Sequence, residues 1–279
     1  MTVAFSESKP QVETTTRPAG RGLGLYLRFN AVAVYAFLYL PIALLVLYSF
    51  SGSRYSSVWG GFSLKWYGRL FQNENLLQAL QVTLTLAISA TLIATVLGTM
   101  AALGLKRLQP RWRRILETFF YLPIVVPDIV LAIALLMFFV LVAGLQLGLT
   151  TMVLAHVVFC CCYVTAVVSA RLRGFDHRLE EAARDLGASS WQTFRKIKLP
   201  LIWPGILGGA LLSLALSLDE FVISFFVTGP GASTLPIEIF SMVKRGVTPE
   251  INALATLMLL ASILLATLSL LVQKQSDHR

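Results

Sequence analysis

Three acidic side chains stand inside apolar runs: Asp128 in Pro127-Asp128-Ile129-Val130, and the consecutive pair in Ser217-Leu218-Asp219-Glu220-Phe221-Val222. An acid near the centre of a membrane span costs about 2.5–3.5 kcal/mol on insertion scales, so such groups usually face a cavity and carry function. No lysine or arginine interrupts the same spans. The counterpart is then a proton, solvent, local backbone, another subunit or a cationic solute. Clustered acids along a path suit a polycation such as a polyamine. Tyr121, Phe221, Phe225 and Phe226 would either pack, face lipid, or add cation–π contacts of ~0.5–2 kcal/mol each. Glu117 is different, because it follows Arg113 and Arg114 by four and three residues and is spaced for an interfacial ion pair.

Other chemistry finds little support. There is no Gly-x4-Gly-Lys-Ser/Thr phosphate loop, no nucleophile elbow and no zinc motif. The expectation is a chain that is not itself an enzyme, with any ATP hydrolysis supplied by a partner. Cys160, Cys161 and Cys162 are consecutive, and neighbours on a helix point about 100° apart, so they do not converge on a metal. His156 and Cys160 share a face at i, i+4, but two ligands without a carboxylate make a weak site. Packing is the default reading, with no metal and no disulfide framework.

The acids need membrane helices to hold them. The 279 residues are 56% hydrophobic and 13% charged, where a soluble domain carries about 25% charged residues. Twenty-five uncharged residues separate Arg28 from Arg54, 31 separate Glu74 from Lys106, and 23 separate Glu250 from Lys274; a bilayer requires about 20. A third span runs from about Trp112 to Ala143, interrupted at Pro123, Pro127 and Asp128. A fourth runs from Thr150 to Arg171, and a fifth from Leu201 to Val227. The expected fold is all-α, a polytopic protein with six transmembrane helices. At ~1.5 Å per residue, Asp128 lies roughly 21 Å beyond Arg114, and Asp219 roughly 22 Å beyond Pro204. Both acids would then lie about two-thirds of the way across.

Basic residues orient the spans. Of the 23 lysines and arginines, eighteen fall in the tails and in the second and fourth loops, leaving Arg54, Lys65, Arg69, Lys244 and Arg245 opposite. Both termini and the fourth loop are thereby expected in the cytoplasm. The net charge of +9 is a topology signal, so no nucleic-acid partner is expected. Residues 1–24 read as a disordered cytoplasmic tail, 25–273 as the transmembrane domain and 274–279 as a second tail. In the outer loop, Trp59, Trp66 and Tyr67 suggest an aromatic anchor at the interface. Between Thr228 and Pro249 the segment Ile237 to Lys244 looks helical and suited to lie along the outer surface. Gly98-x3-Ala102 allows close helix approach.

The one long polar stretch between spans is the cytoplasmic loop 172–200. Glu180 to Leu186 are adequate helix formers, Gly187 is a natural stop, and Ser189-Ser190 can cap a second short helix expected to end at Pro200. Leu179, Ala183 and Leu186 form an apolar stripe among charges, suited to docking on another protein.

Glu181-Ala182-Ala183, Gly187 and Ile197-x-Leu199-Pro200, at these gaps, resemble the EAA loop of ATP-binding-cassette importer permeases. Pro127-Asp128-Ile129-Val130, Ser217 to Val222, Phe226 to Pro230, Ser241 to Lys244 and Pro249 to Thr256 resemble more closely the spermidine/putrescine importer permeases, over nearly all of residues 25–273. The resemblance implies the type I importer permease fold in the bacterial inner membrane, and a second permease subunit, two ATPase subunits and an extracytoplasmic substrate-binding protein as partners. ATP and Mg would bind the ATPases, leaving no cofactor in this chain. It implies that Glu181 anchors a docking helix, Ala182 and Ala183 keep it slim, and Gly187 sets its turn. It also implies substrate-path roles for Asp128, Asp219, Glu220, Ser217 and Trp59. Glu220 stands where close relatives commonly have Asp. The alternatives are the same class of permease for an opine, a phosphonate or another small solute, and a secondary transporter using the acids as a proton relay.

Overall fold

The computed structural model describes residues 21–55, 58–176, 178–246 and 248–277. Most of the expected N-terminal tail, residues 1–20, lies outside them. The described chain is helical, with one isolated β-bridge between Ser51 and Phe62. It divides into two units after Leu44. The first contributes most of α1 (Arg21–Ser49), which begins four residues before the expected start of the membrane domain and stacks Tyr35 on Tyr39 at 6.1 Å between centroids.

The second unit holds the candidate site. Its elements are α2 (Lys65–Leu70), α3 (Glu74–Arg107), α4 (Pro110–Val125), α5 (Asp128–Met137), α6 (Leu149–Arg173), α7 (Arg178–Asp185), α8 (Ser190–Thr193), α9 (Leu199–Asp219), α10 (Val222–Val227), α11 (Leu235–Arg245) and α12 (Pro249–Asp277). The last helix runs past 273 to the edge of the described residues. Among the described residues, five helical segments are long and apolar enough to cross a membrane, and the bent pair α4–α5 makes a sixth if counted as one span.

Helices α3, α6 and α9 pack pairwise into a three-helix core, α12 covers α9, α4 rests on α6, and α5 packs on α10. Lipid tails are as apolar as leucine, so close fit rather than the hydrophobic effect holds such helices together. The fit comes from a small-residue stripe on α3, where Ala87, Ala90, Ala94, Gly98 and Ala102 are all buried. A methyl group on Gly98 would stand 2.8 Å from Val164 Cβ and 2.9 Å from the Cys161 carbonyl oxygen on α6. Thr165 donates to that same Cys161 carbonyl at 2.7 Å.

The expected interruption of the third span is a sharp bend, and two other segments differ from expectation. The third span is two helices that meet at 108°. Proline lacks a donor and pushes its predecessor out of the helical region; Val126 accordingly sits at φ −70°, ψ 134°, with Pro127 leading into α5. A straight-helix depth for Asp128 therefore does not hold. The fifth span also divides: α9 stops at Asp219, Glu220 turns out at ψ 114°, and α10 begins at Val222. In the polar loop between α6 and α9 the second short helix does not end at Pro200. A π-helical turn, Phe194–Lys198, joins α8 to α9, and Pro200 lies in the first turn of α9, where a missing N–H is tolerated.

The outer loops differ in one detail. Trp66 is buried, its indole N–H donating to the Ser51 carbonyl at 2.8 Å, so it braces the loop rather than anchoring it in the interface. Residues 237–244 are helical as expected, within α11.

Candidate functional site

Two helix breaks build the intramembrane site, and each places an acid where backbone hydrogen bonding lapses. At the first, Asp128 opens α5 and is exposed. At the second, the two consecutive acids part. Glu220 turns inward, its side chain only 6% exposed, and its two oxygens accept the N–H groups of Ile223 at 2.8 Å and Ser224 at 2.9 Å. It thereby satisfies donors that the first turn of α10 would otherwise leave unpaired. Asp219 points the other way. It is exposed, takes a 2.6 Å hydrogen bond from Ser262 of α12, and borders an apolar groove lined by Leu80, Leu84, Leu218, Leu254 and Met258.

Helix α5, which Asp128 opens, packs on α10, whose first turn Glu220 caps. The structure thus brings Asp128 and Glu220 to one side of the fifth-span break and leaves Asp219 facing the groove beside α12. Among the described residues, no lysine or arginine ion-pairs with any of the three; the ion pairs of this chain lie elsewhere, as at Arg113–Glu117, 2.8 Å, where the sequence placed it. Ser217 is buried and bonded within the protein, to His156 at 2.7 Å. Trp59 is half exposed in the outer loop, edge-on to Tyr48 at 6.5 Å.

Ser262 and Ser224, which the sequence reading did not single out, and His156, which it weighed only as a weak metal ligand with packing as the default, belong to this site. Ser262 holds Asp219, while His156 and Ser224 complete a buried network with Ser217 and Glu220. His156 had a signal: an ionisable side chain in an apolar span calls for a polar partner. Its partners were invisible, being 61 and 68 residues away along the chain. The three cysteines are free, and among the described residues no cluster of three or more His, Cys, Asp or Glu could hold a metal ion.

The polar loop between α6 and α9 is built with equal economy. Helix α7 closes in a Schellman turn: Gly187 has φ +83°, its N–H donates to Arg184 at 2.9 Å, and the Ala188 N–H reaches back to Ala183 at 3.0 Å. Ser189 and Gln192 then form a reciprocal capping box for α8. Of the apolar stripe, Ala183 is buried, while Leu179 and especially Leu186, 89% exposed, face outward beside the exposed Glu181 and Ala182. Leu186, Gly187, Lys196 and Ile197 border one shallow recess. Leu199 packs on the α3–α6–α9 cluster, and Pro200 is exposed. Lys198 ties this surface to the start of α9 through a 2.8 Å ion pair with Glu180. Lys106 of α3 donates to the Leu172 carbonyl at 2.8 Å, and both ammonium groups lie over the Phe175 ring, at 5.6 and 5.7 Å. The exposed face of α7 is therefore connected to two core helices through one small cluster.

The pattern of the family described as "Binding-protein-dependent transport system inner membrane component" matches residues 94–279. The spermidine/putrescine transport system permease protein PotC of Haemophilus influenzae is 46% identical, over 88% of this chain and 95% of its own length. The putrescine transport system permease protein PotI of Escherichia coli is also 46% identical, over 81% of this chain and 82% of its own. A putative 2-aminoethylphosphonate transport system permease protein, PhnV of Salmonella typhimurium, is 31% identical over 86% of this chain and 90% of its own. Among solved structures, a chain of a bacterial ABC transporter that imports alginate superposes with a TM-score of 0.64 at 19% identity, covering 92% of this chain and 95% of the other. That likeness concerns the fold, which is the type I importer permease fold.

Proposed function

We infer that this chain, which belongs to the family of binding-protein-dependent transport system inner membrane components, is the permease of an ATP-driven polyamine importer. It is a multi-pass membrane protein and a non-enzymatic transport subunit, working with an ATPase and a substrate-binding protein. The observation that carries the substrate class is the pair of exposed carboxylates at the helix breaks, Asp128 and Asp219, without a cationic side chain paired to either. A polyamine supplies the missing positive charges. 2-Aminoethylphosphonate offers one ammonium but sets an anionic phosphonate beside the two carboxylates, and this argues against the solute named for the more distant relative.

The working complex contains a second permease, two ATPase subunits that bind ATP and Mg, and an extracytoplasmic binding protein. Both termini and α7 lie in the cytoplasm, in keeping with the lysine and arginine distribution. Helix α7 docks on the ATPase through Glu181, Ala182, Leu186 and the turn at Gly187. ATP-driven closure of the ATPases moves α7, and the Glu180–Lys198 pair passes that motion to α9. Opening outward exposes Asp128 and Asp219 to solute released by the binding protein; resetting releases it inward. Glu220 stabilises the break at the head of α10. Trp59 stands at the outer entrance.

The test is uptake of labelled spermidine by the full complex in proteoliposomes. A hydrogen bond to a charged group contributes ~1.5–3 kcal/mol, so replacing Asp128→Asn and Asp219→Asn together should raise the half-saturating concentration about tenfold or more. Putrescine should compete and 2-aminoethylphosphonate should not. Unchanged concentration dependence in the double variant would refute the cation path.

A further inference from the structure

We propose that His156 is a positioning residue that holds the broken fifth span in register, with one ring nitrogen bonded on each side of the break. The proposal rests on the transport reading above. His156 is fully buried on α6, the helix that packs on both α3 and α9. Its Nδ1 lies 2.7 Å from Ser217 Oγ in the last turn of α9, and its Nε2 lies 2.8 Å from Ser224 Oγ in α10. A neutral imidazole has one donor and one acceptor nitrogen, and a serine hydroxyl serves either role. Either tautomer therefore completes both bonds, one serine accepting while the other donates.

Among the described residues no other single side chain bonds to both helices; Thr151 and Cys160 of α6 reach the Val227 and Ser213 carbonyls separately, one on each side. Glu220 and Phe221 separate the two helices, and Glu220 satisfies only the α10 side, through Ile223 and Ser224. Its carboxylate also approaches His156 Nε2 to 3.7 Å. Ser224 is thus gripped twice, by its backbone N–H and by its hydroxyl, and only the hydroxyl contact leads back across the break to α9. Since α5 packs on α10, the bridge references Asp128, at the head of α5, and Asp219, at the foot of α9, to the same rigid helix. His156 sets the separation of the two acids without contacting the solute.

The experiment uses the complete complex with its binding protein in proteoliposomes, compared at equal amounts of assembled complex. His156→Phe keeps an aromatic ring and removes both bonds. Asparagine places its amide near the Nδ1 position and retains only the Ser217 contact; glutamine reaches the Nε2 position and retains only Ser224. Loss of buried hydrogen bonds that leaves hydroxyls unpaired predicts a fall in uptake on the order of tenfold for His156→Phe, with smaller losses for His156→Asn and His156→Gln. Ser217→Ala and Ser224→Ala should each reduce uptake in the wild-type background and cost little more in His156→Phe, because one bridge is lost only once. Wild-type uptake by His156→Phe, or serine effects that add fully to it, would overturn the proposal. If His156→Phe does not assemble, the two serine variants carry the test alone: a double variant worse than either single by the full product of their effects overturns the bridge, and less than that supports it. Wild-type complex that hydrolyses ATP in response to its loaded binding protein but takes up no spermidine defeats the polyamine reading only; the same variants are then compared by that stimulated hydrolysis.

Discussion

Gly98 and Gly104 lie on one face-to-lipid-to-core helix, α3, and differ in what surrounds them, so replacing each by alanine separates packing from propensity. Both substitutions gain about 1 kcal/mol of intrinsic helix preference. A methyl group at Gly104 meets nothing within 4 Å, and there the gain is kept. At Gly98 the methyl would stand 2.8 Å from Val164 Cβ and 2.9 Å from the Cys161 carbonyl, against an ordinary carbon contact of about 3.5–4.0 Å. Helices α3 and α6 must then part by roughly 1 Å, a gap that forfeits a quarter to a half of each dispersion contact along the stripe. Overpacking of this kind costs about 1–3 kcal/mol. The Thr165 bond to the Gly98 carbonyl, already 3.3 Å, lengthens as well. Gly98→Ala should therefore melt lower than wild type in thermal denaturation of the complex in nanodiscs, and Gly104→Ala no lower. Adding Val164→Ala removes the Cγ1 contact at 2.9 Å but leaves Cβ and the Cys161 carbonyl in place, so it should restore only part of the loss. Equal melting of Gly98→Ala and Gly104→Ala would refute the close-packing argument.

Two further predictions concern the loop that carries α7. Gly187 has open space around it within this chain and a φ of +83°, so a small replacement acts on the chain itself through backbone strain. Gly187→Ala should cost about 1–2 kcal/mol of the turn and raise the ATP hydrolysed per spermidine imported, whereas Gly187→Asn, which tolerates this region better, should stay nearer wild type; indistinguishable stoichiometries would remove the turn from the coupling route. Glu180→Gln leaves Lys198 and Lys106 over one Phe175 ring without the carboxylate that now pairs with Lys198. The pair is mostly buried, so its loss should exceed the ~1 kcal/mol ceiling of an exposed ion pair and lower uptake per ATP. Unaltered coupling would show that α7 does not act through α9 by this contact.

Much of the architecture was legible because it is written locally. Uncharged intervals marked the spans, and Gly187 followed by Ser189 specified a helix stop and a cap that the structure forms with the expected hydrogen bonds. Arg113 and Glu117 met at i, i+4. Pro200 was read as an end, yet the first turn of a helix accommodates proline, and a π-turn carried the chain through. Pro127 marked an interruption correctly, whereas the interruption expected at Pro123 does not occur, because α4 runs through it to Val125; the 108° bend goes with the packing of α4 on α6 and of α5 on α10.

The acids themselves, their embedding in apolar runs, the number of apolar intervals and the helix stop and cap of the polar loop were determined by the sequence alone, since hydropathy and turn chemistry depend on near neighbours. Only the tertiary structure decided that Asp219 and Glu220, adjacent in the chain, serve different walls, one bonded to Ser262 and the other capping α10. It alone recast Ser217 as a partner of His156 rather than an open path residue. Hydrogen bonds that close over 43, 61 and 68 residues have no period and no spacing rule; they exist because helices packed at small-residue faces bring those side chains together.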